Sequence, residues 1–140
     1  ISWMVSAMGS LSVAEVCRQQ KHFGFTASPC GDSWVYAWIH KRGMLDGDSG
    51  DGGNDLIVML HGRFPQVVIS GAKSLSVPSF DSEGMRFIVG KDGKELVVGY
   101  STSMHVHPWF TLPMGEILEG PPQWAGDDVL FTTSGGAPKR

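Results

Sequence analysis

The segment Asp46 to Asp55, "DGDSGDGGND", crowds glycine and acid so densely that neither a helix nor a strand can form through it. It reads as a mobile loop, and it divides the chain into two parts of different character. Before it, Ser12-Val13-Ala14-Glu15 has capping-box spacing, with Val13, Val16 and Cys17 on one face, which predicts a short helix through about Gln20. A second helix is expected from Asp32 or Ser33 to Gly43, because Trp34, Tyr36, Ala37, Trp38 and Ile39 are apolar almost all round.

After the loop, β-rich runs recur at Leu56–Leu60, Gln66–Ser70, Arg86–Val89, Glu95–Tyr100, Met104–Trp109 and Val129–Thr133. In "FIVGKDGKELVV" the pair Asp92-Gly93 supplies a hairpin turn. Helices first and strands second predict an α+β domain, with N-terminal helices packed on a C-terminal antiparallel sheet.

With 140 residues the chain fits one domain, expected to be a monomer. Its net charge of -3 gives no general attraction for phosphate backbones or anionic membranes, so neither nucleic acid nor membrane is an expected partner. The apolar runs are too short to span a bilayer, so a soluble protein is expected. Cys17 and Cys30 are too few for a disulfide scaffold and lack metal-ligand spacing, which suits a reducing compartment.

In "PCGDSWVYAW" a hydroxyl or thiol would sit at the first turn of the second helix, where free amides and the helix dipole stabilise an anion. Ser33 occupies that turn, and Cys30 lies in the loop before it. The stretch resembles the active-site segment of papain-like proteases. It is still more similar to the Gly-x-Cys-Trp/Tyr signature of viral papain-like leader proteinases: the potyvirus helper-component proteinase and the hypovirus and arterivirus leader proteinases. Aligned on Trp34, the nucleophile position is 33, where this chain has serine in place of cysteine.

The resemblance implies a papain-like fold and a downstream histidine. His105 in "STSMHVHPW" fits, since Ser-Met-His-Val resembles Thr-Met-His-Val of the potyvirus enzyme; His107 is the alternative base and His61 a more distant one. It implies an oxyanion hole from the amide of position 33 with Gly31 or Asp32. It also implies one cis cleavage at the chain's own C-terminal segment, Gly135-Gly136 or Gly136-Ala137. Residues 1–136 would then form the proteinase and 137–140 lie past the cut. No cofactor is implied. The location implied is the host cytoplasm, with host proteins as further partners.

Plainer readings stand beside these. Ser33 is a natural helix N-cap, which leaves a non-enzymatic accessory or host-interaction domain as the competing class. His105-x-His107 invites a metal, but no third ligand stands at an obvious spacing, so no metal site is expected. Asp48-Ser49-Gly50 matches a chymotrypsin-like motif, but those enzymes place histidine and aspartate before the serine across a double barrel and only 48 residues precede Ser49; Gly126-Asp127-Asp128 matches a polymerase motif in too short a chain. "YSTS" with "LHGR" resembles ADP-ribosyltransferases, though the glutamate that orients NAD has no counterpart.

Overall fold

A computed structural model describes residues 23–42 and 52–134. The helix expected near Ser12–Gln20, most of the Asp46–Asp55 loop and the Gly135–Ala137 cleavage site lie outside these residues. Among the described residues there is no helix, so the expected α+β, papain-like fold is corrected to an all-β one.

Strands β1 (Phe23–Cys30), β2 (Ser33–Lys41), β3 (Asn54–Leu60) and β4 (Gln66–Ala72) form one antiparallel meander in sequence order. A second meander follows, from β5 (Ser79–Phe80) through β6 (Arg86–Lys91) and β7 (Glu95–Tyr100) to β8 (Val106–Thr111). The hairpin of β9 (Ile117–Ala125) and β10 (Asp128–Ser134) closes the described part of the chain.

The segment expected as the second helix is β2, and alternation is the reason. Val35, Ala37 and Ile39 enter the core between the two meanders, while Tyr36 and Trp38 enter a separate cluster with Met59 on the other face. A strand buried on both faces carries as few polar residues as a helix buried all round, so composition alone cannot separate them. The ladder to β3 then pairs like with like: Ala37 with Val58 and Ile39 with Leu56 inside, Tyr36 with Met59 outside. Valine, isoleucine, tyrosine and tryptophan suit such a two-sided strand.

The central core joins Val35, Ala37, Ile39, Leu56, Val58 and Ile69 of the first sheet to Phe87, Val89 and Val97 of the second. On its far face the second sheet presents Ile88, Leu96 and Val98, which are covered by Leu118, Trp124 and Val129 of the β9–β10 hairpin. The order of layers is therefore first sheet, second sheet, hairpin.

Turn chemistry fixes the register. Asp92 and Gly93 both adopt positive φ, 58° and 71°, as a type I′ turn requires; the Lys94 amide donates to the Lys91 carbonyl at 3.1 Å to close it, and Lys91 pairs with Glu95 in the ladder. Gly31, at φ 61°, takes the first central position between the paired Cys30 and Ser33, while Asp32 keeps φ negative; this is a type II′ hairpin turn. The same turn recurs at Gly126-Asp127, so the Gly-Asp-Asp triplet is hairpin punctuation.

Candidate binding surface on the second sheet

Ser33 opens β2 directly after the Gly31-Asp32 turn, and all three residues are exposed. No helix start stands behind them, so the expected dipole and row of free helical amides are absent from position 33. Ser33 faces Cys30 across the ladder. The Cys30 side chain is buried in the central core, with Sγ 3.7 Å from Met85 Sδ.

His105 and His107 lie on another layer. Val106 packs against the central core, so His107, the next residue of β8, points the opposite way. His107 pairs with Val98, whose side chain belongs to the cluster beneath the hairpin, and the His105 ring lies 6.2 Å from that of His107. Both imidazoles therefore occupy the far face of the second sheet, while Ser33 belongs to the first. Among the described residues no hydrogen bond joins Ser33 to either histidine.

His61 is engaged elsewhere. Its Nδ1 is hydrogen-bonded at 3.0 Å to the hydroxyl of Tyr36, whose ring also stacks on Phe25. Burial raises the Tyr36 pKa, so the stability tied to its neutral form is present below an ordinary tyrosine pKa and lost as pH rises through the raised one. Tyr36→Phe should cost about 1 kcal/mol in urea unfolding at neutral pH, the net worth of one hydrogen bond.

What the far face does assemble is a run of rings. Tyr100 stacks on His107 with centroids 5.9 Å apart, and His105 follows on the other imidazole. The ladder between β7 and β8 shifts between Leu96 and Val97, which pair with Phe110 and Pro108 and leave Trp109 as an extra residue. That bulge lets two consecutive aromatics meet the hairpin: Trp109 stacks on Trp124 at 6.4 Å, and Phe110 meets Phe131 at 5.9 Å. Alternation without a bulge would have sent one of them to the opposite face.

Arg86 anchors this shelf. Its Nε donates to Asp81 Oδ2 at 2.9 Å, its second terminal nitrogen donates to Asp127 Oδ1 at 3.0 Å, and its guanidinium carbon lies 4.4 Å from the Trp124 ring centroid. The Trp124 indole donates to the Ser79 carbonyl at 3.1 Å, which fixes the ring over the second sheet. Tyr100 and Trp109 remain 38% and 49% exposed, enough for each to offer a face or rim to a ligand. Sequence reading singled out the histidines for acid–base chemistry and missed the shelf. The available signal was the density of rings in His107-Pro108-Trp109-Phe110, on a strand that follows one closed by Tyr100.

Among the described residues no three histidine, cysteine, aspartate or glutamate side chains gather as a metal site. No family model, curated protein or solved structure matches this chain.

Proposed function

We propose that this domain is a non-catalytic binding module whose working surface is the ring shelf of Tyr100, His105, His107, Trp109 and Trp124. The observation that carries this reading is the placement of His107 opposite Val98 on the far face of the second sheet, with the His105 and Tyr100 rings beside it: both imidazoles lie away from the first sheet, which holds Ser33, and against an exposed aromatic ring. Nucleophilic catalysis needs base and nucleophile within hydrogen-bond reach, and that pairing is not formed here. The same rings suit stacking, since each half-exposed aromatic contributes large contact area at small entropic cost. The leader-proteinase resemblance at "GDSW" and "SMHV" supplies the opposing reading, and a single experiment separates the two.

Ser33→Cys, carried on a chain extended past Arg140, should keep its full intact mass through prolonged incubation. Loss of everything after Gly135 or Gly136, abolished by His105→Ala, would overturn the binding reading and restore the proteinase.

A further inference from the structure

We draw no further inference here: the strongest candidate, the apolar outer face of the first sheet formed by Tyr36, Trp38 and Met59 with Phe25 and Ile57, carries nothing, because nothing among the described residues shows what covers it.

Discussion

Gly84→Ala should be among the most damaging single substitutions in the molecule. Gly84 adopts φ +71°, and a Cβ built there falls inside the van der Waals radius of the Pro29 carbonyl oxygen, with the Pro29 carbonyl carbon and Ser28 Oγ also crowded. The obstructing atom is backbone, so no rotamer change relieves it. Left-handed strain of about 1–2 kcal/mol adds to an overpacking cost of about 1–3 kcal/mol, a large share of a total stability of about 5–15 kcal/mol. The position matters because the Gly84 carbonyl accepts from the Ser101 hydroxyl at 2.6 Å while the residue lies against β1, so it joins the two sheets. Gly31→Ala is the natural control: φ is +61° but nothing lies within 4 Å, so only the strain of about 1–2 kcal/mol applies. Urea midpoints of the two variants should differ accordingly, and equal midpoints would contradict the packing described at Pro29.

Asp81→Asn is expected to be the next largest. Asp81 is 5% exposed and accepts three hydrogen bonds, from the amides of Met85 and Arg86 and from Arg86 Nε. Burial by itself pushes its pKa up, but the hydrogen bonds from Arg86 and Met85, with the charge of Arg86, outweigh it and hold the carboxyl below its usual value. A depressed carboxylate contributes stability that is present above the unfolded pKa of about 3.9 and is lost as pH falls through the folded one. The amide variant should therefore unfold about 2–3 kcal/mol more easily at neutral pH, since Arg86 loses a well-placed anion but keeps Asp127 and partial solvent access. The gap should narrow as pH drops below about 4. A gap constant across that range would show that the carboxylate charge is not what matters. Because Arg86 lies over Trp124, the variant should also shift the Trp109 and Trp124 indole signals.

The second half of the chain was legible in its sequence because its strands carry their own punctuation. The runs beginning at Leu56, Gln66, Arg86, Glu95 and Val129 all lie within strands, and Asp92-Gly93 makes the turn between β6 and β7. β1 and β9 were missed: Phe23–Cys30 and Ile117–Ala125 contain Gly24, Pro29, Gly120, Pro121 and Pro122, which blur the strand pattern. β2 was misread for a different reason. "WVYAWIH" has no polar face, so periodicity could not choose between helix and strand.

The deciding signal stood just before β2. Cys30-Gly31-Asp32-Ser33 is a two-residue Gly-Asp link between β-forming runs, the signature of a hairpin. Reading Asp32 and Ser33 as a helix start placed a dipole at a strand end, which removes the physical support that the dipole lent to a nucleophile at position 33. The shelf was harder to find, because it depends on a bulge that no local pattern announces and on a hairpin folding back from later in the chain.

Whether residue 33 opens a strand or a helix therefore decides most of this account, and proton–proton contacts across the Phe23–Leu60 region test it most directly. The structure predicts cross-strand contacts joining Ala27 to Tyr36 and Tyr36 to Met59, with weak amide–amide contacts along Ser33–Lys41. An unbroken series of strong sequential amide–amide contacts from Ser33 to Lys41, without those cross-strand pairs, would contradict it.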